Sequence, residues 1–236
     1  MNVNLRLVFD YTVKFKRLML FVPFMAVFSA QADSLRLSLE ERLIGEGLVD
    51  VQMLDSTIMV ELKYADTTNF MKTNVYGQLR KCYLRPRAAE KLARASAYLR
   101  KHHPGIRLLV VDGVRPRHVS QRMWDALSGT PMQRYVANPR WGSMHNYGCA
   151  VDLTLIDSTG GRMDMGTPMD HFGPLAQPAL EKQYLKNKKI TPEQVANRAI
   201  LREAMTAAGF YPISIEWWHF NAFEKDYIRK NYSIIE

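Results

Sequence analysis

"GSMHNYGCAVDLTL" (residues 142–155) joins a polar, glycine-bracketed loop to an apolar run, and sets His145 seven residues ahead of Asp152. The run 149–157 reads as a strand. On an ideal strand Asp152 shares a face with Ala150 and Thr154, while Cys149, Val151 and Leu153 point the other way. His145 must then be delivered by the preceding loop, which Gly142 and Gly148 allow to turn sharply. A second stretch, "SIEWWHF" (214–220), carries Glu216 and His219 and reads as an aromatic-rich strand. Their odd separation puts them on opposite faces of an ideal strand. Only a bulge or a bend would bring both to one place.

Working outward, 56–65 ("STIMVELKYA") alternates Ile58, Val60 and Leu62 and predicts a strand. The segment 67–78 is loop-like. The clearest helix is 85–105, with Pro86 near its start, many alanines, cations in its last turn and Pro104-Gly105 as a stop. "IRLLVVDGVRP" (106–116) reads as a buried strand running into a turn, and 117–128 as a helix. A further helix over 191–210 has Thr191 as N-cap, Pro192 at the first position and Gly209 at its end. Residues 34–51 read as a short helix or an extended lead-in. Helices and strands mix without a regular βαβ rhythm, which predicts an α+β domain with a mostly antiparallel sheet flanked by helices.

The N-terminus has a different character. Lys14, Lys16 and Arg17 precede the uncharged run "LMLFVPFMAVF" (18–28), followed by "AQA" (30–32). This predicts a secretory signal peptide over 1–32, with residues 33–236 as a single catalytic domain. The apolar run is shorter than the ~20 residues of a spanning helix, so no stable membrane span is expected after cleavage. The whole chain of 236 residues has a formal charge of +9, and about +6 remains beyond residue 32. Its cations are scattered apart from "LKNKK" (185–189), so no nucleic-acid-binding stripe is expected. The two cysteines, Cys82 and Cys149, make no metal-binding pair. An exported chain could join them in one disulfide, but sequence does not set their distance. Oligomeric state is not legible.

His145, Asp152 and His219 together offer two imidazole nitrogens and one carboxylate oxygen. Three such ligands with one open position describe a catalytic zinc site. Glu216 would be a nearby carboxylate free to move a proton. Blander roles exist for each residue. Asp152 could cap a strand end, His145 could be a loop histidine, and Glu216 could pair with His219 on an exposed strand. The helical H-E-x-x-H motif is absent.

Taken together, "SMHNYGCAVDLTL" and "EWWHF" match the S-x-H-x-x-G-x-A-x-D and E-x-W-H pattern of the zinc D-alanyl-D-alanine peptidases. The chain most resembles their D-Ala-D-Ala dipeptidase subfamily, the type linked to vancomycin resistance. "LKYADTTNF", "VDGVRP", "MGTPMDHF" and "GFYPISIEWWHF" extend the resemblance over about residues 47–225. The resemblance implies a small α+β domain shared with the hedgehog-type zinc domain. It also implies one Zn2+ held by His145, Asp152 and His219, Glu216 as general base, and Arg115 as stabiliser of the oxyanion. Tyr64, Ser143 and Asp170 would line the substrate pocket, with Asp170 near the free ammonium of the dipeptide.

The expected activity is hydrolysis of D-Ala-D-Ala in peptidoglycan turnover, in the periplasm. The alternative is a D,D-carboxypeptidase or endopeptidase acting on longer stem peptides. A third possibility, a module that uses zinc only for stability, would have no use for Glu216 or Arg115. On the residues alone, Arg115 could instead pair with Asp112 or Asp125, Tyr64 could be packing, and Asp170 could cap a turn.

Overall fold

The computed structural model describes residues 37–236. The expected signal peptide at 1–32 lies outside the described residues. In chain order the elements are α1 (Leu39–Gly45), β1 (Val49–Asp50), α2 (Val51–Leu54), β2 (Met59–Val60), β3 (Tyr83–Leu84), α3 (Pro86–His102) and β4 (Arg107–Asp112). They continue with α4 (Arg117–Ala126), β5 (Ala150–Ile156), α5 (Glu181–Lys186), α6 (Pro192–Ala207), β6 (Tyr211–Pro212), β7 (His219–Asn221) and α7 (Lys225–Asn231).

The central sheet has the order β2-β4-β5-β7-β6. Only the β2–β4 pair is parallel; the other pairs are antiparallel. β1 and β3 form a separate antiparallel pair. This is the α+β architecture with a mostly antiparallel sheet that the sequence predicts. β5 is buried at every position, as suits an apolar, β-branched strand with a neighbour on each side. α3 and α6 pack on each other and on the sheet, burying Leu92, Leu99, Leu201 and Met205. α6 starts with a capping box: Thr191 accepts from Gln194 N, and the Gln194 side chain accepts from the Thr191 N–H. It ends just before Gly209, at φ +87°.

Two predicted strands are largely something else. In 56–65 only Met59–Val60 is strand, and Lys63–Ala65 is a 3-10 turn. The chain is pulled off the sheet there because Tyr64 O accepts both Val75 N and Tyr76 N, at 3.0 and 3.2 Å. In 214–220 the strand begins only at His219, and the residues before it bend. The bend is fixed by Trp217 N donating to Ala176 O (3.0 Å) and Leu153 N donating to Trp218 O (3.1 Å). It removes the parity conflict between Glu216 and His219. The β1–β3 pair, α5 and α7 are not anticipated by the sequence reading.

Candidate active site

The sheet register assembles the first part of the site. Asp152 on β5 is the direct cross-strand partner of His219 on β7. On its other side Asp152 faces Asp112 of β4, through a register shift between Val110 and Asp112. The extra residue, Val111, is a bulge that re-aims Asp112. Asp112, Asp152 and His219 therefore stand in a row across three strands, on one face.

His145 arrives from outside the sheet, on a 3-10 turn over Met144–Tyr147. Ser143 caps that turn: its Oγ accepts from His145 N (3.2 Å), and Asn146 Oδ1 accepts from Ser143 N (2.6 Å). Gly148 ends the turn in the left-handed region, at φ +66°. Asn146 Nδ2 also donates to Arg115 O (2.6 Å) and Ser120 Oγ (2.8 Å), and Arg115 N donates to His145 O (3.0 Å). The turns carrying His145 and Arg115 are thus one bonded unit.

The three expected metal ligands converge. His145 Nε2 is 3.1 Å from His219 Nδ1 and 3.3 Å from Asp152 Oδ1, and His219 Nδ1 is 3.0 Å from Asp152 Oδ1. Tetrahedral ligands with bonds of about 2.0–2.1 Å to zinc stand roughly 3.3–3.4 Å apart, so this triangle fits such an ion. The outer nitrogens are engaged elsewhere. His145 Nδ1 lies 2.7 Å from Gly113 O, and His219 Nε2 lies 3.0 Å from Asn221 Oδ1. Donation to those oxygens leaves His145 Nε2 and His219 Nδ1 as lone pairs aimed at a carboxylate oxygen. Three acceptors meet without a donor among them, an arrangement that calls for a cation. Burial alone would raise the Asp152 carboxyl, but the neighbouring histidines hold it well below the usual carboxylate range. Among the described residues this is the one such cluster.

The cluster opens into a cavity of about 360 Å³ whose lining includes all eight residues singled out from the sequence. Glu216 Oε2 is 4.0 Å from His219 Nδ1. Burial pushes the Glu216 carboxyl up to about 7, against the pull of His219. A cation in the cluster would draw it back down. Arg115 does pair with Asp112, through Nε at 2.9 Å and through Nη2 as well. Yet its Nη2 also stands 3.6 Å from Asp152 Oδ2, so the ion pair orients the guanidinium toward the cluster. Asp112 further accepts from Tyr76 OH (2.5 Å) and Gly113 N (3.0 Å).

The other side of the cavity lies beyond Tyr64. The Arg115 guanidinium sits over the Tyr64 ring, 5.2 Å from its centroid, and Tyr64 OH donates to Asp170 Oδ1 at 3.0 Å. Asp170 Oδ2 is buried and takes no hydrogen bond; Lys63 Nζ stands 3.8 Å away. Burial pushes the Asp170 carboxyl up to about 6, with Lys63 opposing. Ser143 lines the cavity, and its Oγ accepts the cap bond from His145 N. Phe70, Tyr135 and Phe172 form an aromatic wall, with Phe172 5.4 Å from Phe70 and 5.5 Å from Tyr135. No sequence pattern marks that wall, and Asp112 is legible in the sequence only as a rival partner for Arg115. The "VDGVRP" motif held the signal for Asp112. Cys82 and Cys149 are both free and buried, and burial pushes the Cys149 thiol up to about 12.

A pair of imidazoles and a carboxylate facing a pocket, beside a half-buried glutamate and a clamped arginine, define a metallopeptidase type of site. Comparison with known proteins agrees. The profile of peptidase family M15, described as D-ala-D-ala dipeptidase, matches residues 45–235, and the chain belongs to that family. It is 34% identical to a D-alanyl-D-alanine dipeptidase of Escherichia coli (strain K12), over 73% of this chain and 83% of the relative. Proteins of the same name from Streptomyces coelicolor and Enterococcus faecium are 30% and 29% identical. These matches cover 74% and 68% of this chain, and 91% and 83% of the relatives. No helix among the described residues is long and apolar enough to cross a membrane.

Proposed function

We propose that this protein hydrolyses the dipeptide D-Ala-D-Ala to two D-alanines in peptidoglycan turnover, using one zinc ion held by His145, Asp152 and His219. The observation that carries the reading is the triangle of three acceptor atoms at the floor of a cavity that also holds Asp170. When bound, the ion would supply Lewis acidity toward the scissile carbonyl. Glu216 accepts a proton from the attacking water and returns it to the leaving amine, as general-base and then general-acid chemistry requires. Arg115 keeps its charge at any working pH and stabilises the oxyanion that develops on the carbonyl oxygen. Its pairing with Asp112 means that little reorganisation is needed during the reaction.

Asp170 would receive the free ammonium of the substrate, with Tyr64 holding one of its oxygens and Lys63 held off at 3.8 Å. A substrate blocked at that amine leaves the carboxylate unpaired and is disfavoured. This favours a free dipeptide over a longer stem peptide. The N-terminal segment supports export to the periplasm, where wall fragments are found.

The test is turnover of D-Ala-D-Ala, L-Ala-L-Ala and N-acetyl-D-Ala-D-Ala by the purified protein, with its metal content measured. Turnover of the free D,D-dipeptide with about one zinc per chain is expected. Equal turnover of the acetylated compound would reject ammonium recognition and select the carboxypeptidase reading.

A further inference from the structure

Asp170 occupies an awkward position. It has φ +59°, a left-handed conformation uncommon for a residue with a Cβ, and it sits midway along the segment from Met165 to Ala176, which is irregular until the 3-10 turn at Pro174–Ala176. Aspartate tolerates that region better than most residues, and its setting still has to hold it there. The restraint comes from outside the cavity. Arg198, on α6, has a fully buried side chain. Its Nε donates to Met165 O at 2.7 Å and its Nη2 donates to Leu175 O at 3.0 Å. One planar guanidinium thus pins both ends of the segment that carries Asp170. The same group lies over the Trp217 ring, 5.7 Å from its centroid, and pairs with Glu181 at 3.5 Å. Trp217 in turn donates through Nε1 to Thr167 Oγ1 (2.8 Å) and through its backbone N to Ala176 O (3.0 Å). Two neighbours on α6 extend the seam: Asn197 Nδ2 donates to Asp164 O (2.9 Å) and Gln194 Nε2 to Asp164 Oδ2 (2.8 Å).

We propose that Arg198 is a positioning residue for substrate recognition: it holds the 165–175 segment so that Asp170 keeps its place in the cavity lining, with Oδ1 bonded to Tyr64 and Oδ2 left without a hydrogen bond. The fork matters because two carbonyls must be held by one side chain. A lysine has the charge but no fixed pair of donors. The rival explanation is that Arg198 merely neutralises Glu181 in the interior. The two differ in what removing each partner does. The substrate part rests on the dipeptidase reading; the restraint on the segment does not.

The experiment compares wild type, Arg198→Lys and Glu181→Gln. It measures KM and kcat for D-Ala-D-Ala and amide hydrogen exchange across 165–176, well below the melting temperature of each variant. For Arg198→Lys, KM is expected to rise about tenfold with kcat changed less than about threefold, the size of one lost charged hydrogen bond. Exchange across 165–176 should accelerate while β5 stays protected. Glu181→Gln should lower the melting temperature and leave KM and exchange unchanged.

An unchanged KM in Arg198→Lys, or the same rise in Glu181→Gln, overturns the proposal. Wild type that does not cleave the dipeptide sinks the dipeptidase reading and the substrate role resting on it; exchange still decides whether Arg198 pins the segment. If Arg198→Lys does not fold, Thr167→Val loosens the same segment without touching the Arg198–Glu181 pair. It should raise KM about threefold, and no rise counts against the proposal.

Discussion

The two sides of the cavity are held in place by different means. On the reactive side, Asp152 and His219 occupy paired positions of a β-ladder, and His145 is oriented by a main-chain carbonyl. On the proposed recognition side, Asp170 sits on a segment anchored largely by side chains, Arg198 and Trp217 foremost. Main-chain bonds survive substitution; side-chain bonds do not. The reactive geometry should therefore respond chiefly to changes in the reacting groups and in the side chains bonded directly to them, such as Asp112. Recognition should also respond to changes made at a distance.

The strongest challenge to this contrast is His219→Ala. It deletes one of the three proposed ligands, and activity should fall to background with bound metal below one per chain, as read by metal analysis. Retained stoichiometry would break the ligand assignment. Glu216→Gln comes next: kcat should drop roughly 10²–10⁴-fold while metal content stays at wild-type level. Asp112→Asn takes away the partner of a buried guanidinium and should cost about 3 kcal/mol of stability in chemical denaturation, together with a lower kcat.

Asp170→Asn should act mainly on KM, and pH sharpens the point. Burial raises the Asp170 carboxyl from 3.8 to about 6, so affinity for a cationic amine should weaken as pH falls through about 6. The stability effect has the opposite sign. The folded protein holds the proton more tightly than the unfolded chain, so ionising Asp170 costs stability as pH rises from about 3.8 to about 6, and the cost is complete above that. Asp170→Asn should therefore gain stability relative to wild type near neutral pH and not near pH 3, by thermal melts at both. The smallest effect is that of Ser143→Ala, the loss of a cap worth about 1 kcal/mol, with kcat nearly unchanged.

The same contrast explains what the sequence made legible. The reactive side is legible because a strand imposes period-two order: local pattern alone gives Asp152 its face and His145 its loop. The Glu216–His219 parity conflict marked the place where that order fails. The bend answering it depends on hydrogen bonds to Ala176 and Leu153, both remote in sequence. The alternation of Ile58, Val60 and Leu62 predicts a strand that would include Tyr64. The turn that actually holds it is set by Val75 and Tyr76. Asp112 was hidden for a similar reason, since its place beside Asp152 needs a bulge at Val111. The short β1–β3 pair and α7 carry too few residues for a periodic signal.

The carbonyl that steers His145 belongs to Gly113, and a Cβ at Gly113 would collide with Cys82 Sγ. The position is thus closed to larger residues by crowding, while the group that acts on the imidazole is one that every amino acid possesses. Variation at this site can be weeded out for bulk but cannot retune the histidine through side-chain chemistry. The nitrogen facing the cavity is inherited from the path of the backbone, which makes it one of the least adjustable parts of the molecule.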